Sequence, residues 1–164
     1  MKNKLLITFT VLIFNLVCSQ SVDPLLGNLL GKKFPVENLK DENNLEFKIE
    51  KLNGKPTLIN IWFTTCGPCI EELPNLNELQ NKLFSQVNFV AVTFDTREKK
   101  EKFLLKHQFR FKHLNVSFQD LEKHGIYKYP LNFVLDGKGN VKRILGGIDE
   151  TEINDVIQIF ESLK

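Results

Sequence analysis

The stretch NIWFTTCGPCIEELP, residues 60–74, joins a predicted strand to a predicted helix and carries two cysteines at the junction. Residues 57–63 are nearly all apolar or β-branched, which is the pattern of a strand buried on both faces. Residues 68–84 place apolar side chains three to four positions apart, which predicts a helix with one buried stripe. We therefore expect Cys66 and Cys69 where a central strand passes into the helix that follows it.

The remaining sequence patterns extend this unit into an α/β fold. The further predicted elements are a strand at 87–94, a helix at 97–107, a helical turn at 119–124, strands at 131–135 and 141–145, and a helix at 150–163, with a short segment at 114–116 left without an assigned conformation. Ahead of them, residues 36–40 and 45–49 flank a turn-rich segment and predict a β-hairpin. This order predicts a three-layer sandwich, with a mixed central sheet, helices on both faces and an N-terminal β-hairpin extension.

The composition is that of one globular domain. The chain has 164 residues, of which 42% are hydrophobic and 26% charged, so it is neither a disordered tail nor a disulfide-dense miniprotein. A net charge of +2 is too small to indicate binding through nucleic-acid phosphates, and we expect no nucleic-acid partner. Three cysteines are too few for a scaffold held by disulfides.

The N-terminus has the pattern of a secretory signal. Lys2 and Lys4 precede an uncharged apolar run over residues 5–17, which is too short to cross a bilayer as a helix. Cleavage after Ser19 would remove residues 1–19 and leave 145 residues with an even number of cysteines. Two alternatives stay open, an uncleaved anchor and a lipoprotein whose lipid is attached to Cys18. Each of them predicts an exported protein, in the periplasm or at the outer face of the cytoplasmic membrane.

The spacing of the two cysteines fits thiol–disulfide exchange. Cys66 is expected at the start of a helix, where unpaired N–H groups and the helix dipole stabilise a thiolate. Cys69 follows about one turn later in a more buried position, from which it can release a mixed disulfide formed at Cys66. Pro68 suits the first turn, since its missing N–H has no partner there.

Residues 60–74, together with Tyr129 and Pro130 before a hydrophobic strand, resemble the active-site region of thioredoxin-fold proteins. The likeness is greatest to exported thiol-disulfide oxidoreductases of the TlpA and ResA type. It implies a thioredoxin-like domain over residues 34–164, preceded by a loosely structured lead-in at 20–33. It also implies a reductant of protein disulfides, for example in preparing apocytochrome c for haem attachment. The expected partners are protein thiols and disulfides and a membrane-borne electron donor, and the expected state is a monomer with no cofactor beyond the Cys66–Cys69 disulfide.

The resemblance also implies roles for individual residues. Glu72 matches a family glutamate that could accept the proton of the Cys69 thiol, although an acid early in a helix could simply complement the dipole. Pro130 matches a cis-proline beside which a substrate strand docks. The other residues expected at the substrate surface are Tyr129, Trp62, Thr65, Gly67 and Pro68. A plain core role is the alternative for Trp62.

Two positions depart from the family pattern and leave the choice of target open. Thr65 stands where relatives usually have an aromatic residue, and Leu131 stands where many have threonine. Asn60 occupies the place of a buried acid in cytoplasmic thioredoxins, which favours Glu72 as the proton acceptor. Asn60 could equally be a satisfied polar residue within a strand.

Other functions fit the sequence less well. His107 and His113 could complete a zinc site with the cysteines, but the two pairs are too far apart for a zinc finger, and we expect no metal. A copper-delivery module, with His124 as a distant ligand, would want three residues between its cysteines. A peroxidase of the peroxiredoxin type needs a proline at the start of its threonine-rich loop, and no proline stands at that place before Thr64.

Overall fold

A computed structural model describes residues 24–35, 37–52 and 54–163. The predicted signal at 1–19, Cys18 and the first residue of the predicted hairpin lie outside these residues. No helix within the described ranges is long and apolar enough to cross a membrane.

In the described part of the chain, five strands form one mixed sheet in the order β3-β2-β1-β4-β5. The strands are β1 (Thr57–Ile61), β2 (Asn88–Thr93), β3 (Lys112–Asn115), β4 (Leu131–Leu135) and β5 (Val141–Leu145). Strands β1, β2 and β3 run parallel, while β4 is antiparallel to both β1 and β5. The predicted parallel centre and the closing hairpin of β4 and β5 are confirmed. Strand β1 is buried along its whole length, as its apolar run predicts.

Among the same residues, six short helices and a 3₁₀ turn at Ile49–Leu52 surround the sheet. The helices are α1 (Pro24–Gly27), α2 (Gly67–Glu71), α3 (Leu73–Leu83), α4 (Arg97–Leu104), α5 (Phe118–Glu122) and α6 (Ile153–Glu161). The single helix predicted over 68–84 is divided into α2 and α3 at Glu72. Pro74 explains the division, because a proline has no N–H to donate to the carbonyl four residues earlier and its ring crowds that carbonyl.

The sheet separates two layers of core. Side chains of α3, α4 and α6 cover one face together with Leu58, Trp62, Cys66 and Cys69. The opposite face is covered by α1, α5 and the loops that precede β1. The cysteine pair thus lies at the margin of a packed helical layer, where α2 begins.

The described part of the lead-in is more ordered than we expected. Leu26 and Leu29 are buried against the second layer, and residues 30 and 33 form single bridges to 141 and 140 on the hairpin of β4 and β5. Phe133, Leu135 and Val141 on this face of the sheet give the two leucines an apolar surface against which to pack, which local sequence patterns do not reveal.

The predicted N-terminal β-hairpin forms only in part. The chain turns back between Asp41 and Leu45, but the two arms share a single bridge among the described residues, from Lys40 to Glu46. Lys40 also pairs with Asn115, the last residue of β3, and a 3₁₀ turn over residues 49–52 begins at the last residue of the predicted second arm. Asn38, which lies within the first predicted arm, has a positive φ of 69°, which interrupts extended pairing there.

Candidate active site

Cys66 and Cys69 form a disulfide at the start of α2. Cys66 is the N-cap residue, and its Sγ accepts the backbone N–H of Cys69 at 3.2 Å. An N–H directed at the sulfur favours the thiolate of Cys66 once the disulfide is reduced. Cys69 is 1% exposed and Cys66 5% exposed, so Cys69 is the more buried of the two, as predicted.

The surface around the disulfide is formed by residues that the sequence predicts there. Thr65, Gly67 and Pro68 are exposed and flank Cys66 on both sides along the chain. The Tyr129–Pro130 peptide bond is cis, in agreement with the prediction. Pro130 lies directly before β4, whose first residue pairs with Ile61 at the end of β1. The proline and the cysteines therefore share one edge of the sheet.

Tyr129 is held in a cluster of aromatic rings next to this edge. Its ring centroid lies 5.3 Å from that of Phe63 and 5.6 Å from that of Phe94. The hydroxyl donates a hydrogen bond to the carbonyl of Ile126 at 3.3 Å. Burial raises the pKa of Tyr129 to about 12, so the phenol is neutral and can only act as a hydrogen-bonding or packing group at physiological pH.

Glu72 lies at the break between α2 and α3, three residues after Cys69, and is buried with 4% of its surface exposed. Its Oε1 accepts a hydrogen bond from Asn60 Nδ2 at 2.6 Å. Its Oε2 accepts hydrogen bonds from Asn132 Nδ2 and from the backbone N–H of Ile148, both at 3.0 Å. Burial raises the pKa of Glu72 to about 7, against the lowering effect of these hydrogen bonds. A carboxyl group with that pKa can both accept and release a proton near neutral pH.

Two asparagines on neighbouring strands support this carboxylate. Asn60 of β1 and Asn132 of β4 are directly opposite each other in the sheet, and Asn60 Nδ2 donates to Asn132 Oδ1 at 3.0 Å. Asn132 Nδ2 also donates to the carbonyl of Gly146 at 2.8 Å. The four amide protons of the pair are thereby used. Asn60 is a supporting residue of the site, and this agrees with the view that Glu72 replaces a buried acid at position 60.

Sequence reasoning missed three parts of the site. Asn132 is fully buried in the middle of an otherwise apolar strand, and this polar interruption was a signal that could have identified it. Ile148 contributes only its backbone N–H, so its side chain carries no signal. At Gly147 an added Cβ would lie 3.4 Å from Pro130 Cγ and 3.8 Å from Glu72 Oε2. Gly147 therefore lies between the proline and the carboxylate.

Trp62 is placed differently from the prediction that it contributes to substrate binding. Its side chain is fully buried, with ring centroids 5.0 Å from Phe103 and 5.3 Å from Phe109. Trp62 therefore supports the active-site layer from within the core, which is the alternative role considered for it. Because side chains alternate between the two faces along a strand, Trp62 enters the same core layer as Leu58, which also contains Cys66 and Cys69.

His107 and His113, the two histidines considered for a zinc site, are engaged in packing. The ring of His107 stacks on Phe103 at 4.1 Å, and His113 Nε2 lies 3.0 Å from the carbonyl of Phe109. Burial lowers the pKa of His113, which favours its neutral form. Over residues 24–35, 37–52 and 54–163, no three or more histidine, cysteine, aspartate or glutamate side chains group as a metal site would require.

The fold and the cysteine pair define a thioredoxin-like thiol-disulfide oxidoreductase. Residues 30–151 match the AhpC/TSA family, and the chain belongs to that family. The chain is 32% identical over 139 residues to the thiol-disulfide oxidoreductase ResA of Geobacillus thermodenitrificans, an alignment that covers 82% of this chain and 78% of ResA. It is 28% identical over 134 residues to the thioredoxin-like protein YneN of Bacillus subtilis, with 79% of each protein covered.

Solved structures share the fold. A Chlorobium tepidum protein, proposed to be a thiol:disulfide interchange protein DsbE, superimposes with a TM-score of 0.72 at 24% identity. The alignment covers 82% of this chain and 98% of that protein. The thioredoxin domain of a thiol-disulfide oxidoreductase from Bacteroides vulgatus gives a TM-score of 0.69 at 19% identity, covering 80% and 96% of the two chains. The predicted fold class is therefore confirmed.

Proposed function

We propose that this protein reduces disulfide bonds of exported proteins, with apocytochrome c as one class of target. The observation that carries the proposal is a disulfide at the start of α2, followed three residues after Cys69 by a buried carboxyl group, Glu72, with a pKa of about 7. This arrangement supplies both a nucleophilic sulfur and a proton acceptor that works near neutral pH. The Gly-Pro pair between the cysteines, which is the pair of reducing thioredoxins, favours reduction over oxidation.

The reaction proceeds in two exchanges from the dithiol form. The thiolate of Cys66 attacks one sulfur of the target disulfide, the target S–S bond breaks, and the released target thiolate takes up a proton. Cys69 then attacks the sulfur of Cys66, which frees the second target thiol and leaves the Cys66–Cys69 disulfide. Two electrons have passed to the target. Glu72 receives the proton that Cys69 must lose, and Pro130 and Tyr129 border the surface on which the target segment docks.

The cellular setting belongs to the same proposal. Residues 1–19 direct export, so the protein acts in the periplasm or at the outer face of the cytoplasmic membrane, anchored by lipid if Cys18 is retained. A membrane-borne donor of electrons reduces the disulfide after each turnover. The protein works as a monomer and needs no cofactor other than the cysteine pair. The likeness to ResA supports this setting, as does the apolar run that follows Lys2 and Lys4.

A redox titration against glutathione tests the proposal, with the dithiol and disulfide forms distinguished by thiol alkylation. We expect a single two-electron transition with a potential closer to the value of about −270 mV of thioredoxin than to the value of about −120 mV of DsbA. Cys66→Ser should abolish the transition, while the matched control Cys18→Ser should leave it unchanged. The dithiol form should also reduce insulin disulfides. Tight stoichiometric copper binding, or peroxide consumption without insulin reduction, would contradict the proposal.

A further inference from the structure

Asp95 makes a side-chain contact with the loop that leads to Cys66. It lies just after β2, at the edge of the sheet where β1 also ends. The last backbone hydrogen bond between the two chain segments runs from Trp62 N to Val92 O at 3.0 Å. Two residues farther on, the N–H of Thr64 donates to Asp95 Oδ2 at 2.6 Å. The carboxylate thus continues the row of hydrogen bonds beyond the end of the backbone ladder.

Thr64 belongs to the turn that delivers the nucleophilic cysteine. The N–H of Cys66 donates to the carbonyl of Phe63 at 3.1 Å, which closes a four-residue turn over 63–66. Thr64 is the second residue of that turn. The bond to Asp95 therefore attaches the turn to β2, while the bond between Cys66 and Phe63 fixes only its internal shape.

The backbone on either side of this carboxylate is itself held in place. The N–H of Asp95 donates to Thr93 Oγ1 at 3.2 Å, and the carbonyl of Asp95 accepts from Asn115 Nδ2 at 2.8 Å. Asn115 Oδ1 in turn accepts a hydrogen bond from the ammonium group of Lys100, a residue only 5% exposed. Residues of β2, β3 and α4 thus fix the backbone of Asp95. A carboxylate anchored in this way can fix the turn at 63–66.

We propose that Asp95 is a positioning residue for Cys66. Its carboxylate keeps the turn at 63–66 in place when the disulfide is reduced, so that the sulfur of Cys66 stays close to that of Cys69. The tendency of two thiols to form a disulfide depends on how closely they are held, because a well-held pair reacts as if at very high concentration. This inference rests on the redox role proposed for the cysteine pair and names a residue that tunes it.

The test is the equilibrium between the protein and glutathione at pH 7. Two protein thiols are oxidised to the Cys66–Cys69 disulfide while one oxidised glutathione is reduced to two thiols. Asp95→Ala removes the acceptor, and we expect the equilibrium constant for forming the protein disulfide to fall about tenfold, or about 30 mV. Asp95→Asn keeps an oxygen acceptor and removes only the charge, and we expect a change of less than about threefold.

Asp136→Ala is the matched control. Like Asp95, Asp136 accepts backbone N–H groups through its carboxylate, but it does so in the turn at the opposite edge of the sheet. Its Oδ1 accepts the N–H groups of Lys138 and Asn140, at 2.9 Å each. We expect this variant to lose thermal stability with an unchanged glutathione equilibrium. Asp95 borders an open cleft of about 930 Å³, so its truncation leaves no closed cavity in the core.

Three results would overturn the inference. The first is a glutathione equilibrium constant of Asp95→Ala equal to that of the unaltered protein. The second is an equal change of that constant in Asp95→Ala and Asp95→Asn, which would assign the effect to the charge of the carboxylate. The third does not depend on folding of the alanine variant. The Thr64 amide of the unaltered protein should be protected from hydrogen exchange, and a fully unprotected amide refutes the contact. The glutathione equilibrium requires no activity on proteins, so failure to reduce insulin would refute the proposed function without affecting this comparison.

Discussion

Replacing Glu72 by glutamine should change how the stability of this protein depends on pH. Glu72 is 4% exposed, and its burial raises its pKa from 4.5 to about 7. The unfolded chain therefore loses this proton near pH 4.5, while the folded protein retains it until about pH 7. Between these values the folded state binds more protons, so its stability falls as the pH rises. The gap between 4.5 and about 7 corresponds to a loss of about 3 kcal/mol.

The glutamine side chain removes the titration but also perturbs the hydrogen bonds. Its amide oxygen can replace Oε2, which accepts from Asn132 and Ile148, and its NH₂ group then faces Asn60 Nδ2. Losing one buried hydrogen bond costs about 1 kcal/mol. We therefore expect Glu72→Gln to be less stable than the unaltered protein by about 1 kcal/mol at pH 4. At pH 8 we expect it to be more stable, by about 2 kcal/mol, since the loss of about 3 kcal/mol no longer applies.

Urea unfolding of the oxidised protein from pH 4 to pH 8 measures this difference. Glu71→Gln is the matched control, because Glu71 is the exposed neighbour of Glu72 in sequence, and surface substitutions of this kind usually change stability by less than about 0.5 kcal/mol. The stability of the control should follow that of the unaltered protein at every pH. If the free energies of unfolding of Glu72→Gln and the unaltered protein changed in parallel between pH 4 and pH 8, the raised pKa of a buried Glu72 carboxyl group would be refuted.

Three further predictions concern the same site. In the Cys66→Ser background, Glu72→Gln should lower the pH at which alkylation of Cys69 is half-maximal, because an ionised carboxylate nearby disfavours a second negative charge. An unchanged pH profile would reject the proton-acceptor role of Glu72. Asn132→Ala removes the hydrogen bonds donated to Glu72 and to the carbonyl of Gly146, so it should destabilise the protein by about 2–3 kcal/mol and raise the pKa of Glu72 further. A carboxyl titration followed by NMR measures that pKa, and the control Asn140→Ala, at the far end of the hairpin, should leave it unchanged. Gly147→Val should slow reduction of insulin more than reduction of a small aromatic disulfide, since the valine side chain would fill the space beside Pro130. An added Cβ at Gly146 meets nothing within 4 Å, so the control Gly146→Val should slow the reduction of both substrates little.

The strands and the cysteine pair were predictable because their signals are local. The apolar run at 57–63, the strand patterns at 131–135 and 141–145 and the glycine-rich turn between them place three strands of the sheet at the observed residues, with β1 ending two residues early. The helix predicted over 68–84 was also placed correctly, except for the break at Glu72 that Pro74 explains. Cys66 and Cys69 were placed at the helix start because a strand before them and a helix after them were both evident.

The hairpin at 36–49 and the lead-in were misjudged for a physical reason. Each forms contacts with residues more than sixty positions away, such as the bridges from Lys40 to Asn115 and from Lys33 to Asn140. Local patterns report preferences for strand or turn, and a distant edge that offers hydrogen bonds can override them. Trp62 was grouped with the surface residues for a similar reason, since proximity to a cysteine in sequence does not specify which layer a side chain enters.

The sequence by itself determined the chemistry of this protein, because a cysteine pair with two residues between its members at a strand-to-helix junction has its reactivity built into a few adjacent positions. Only the tertiary structure decided the environment of that pair. Asn60, Asn132 and the backbone of Ile148 meet Glu72 from three separate segments, and Asp95 contacts the turn at 63–66 from the segment that follows β2. Burial and hydrogen bonding set the pKa of Glu72, and both arise from the packing of residues that are far apart in the chain.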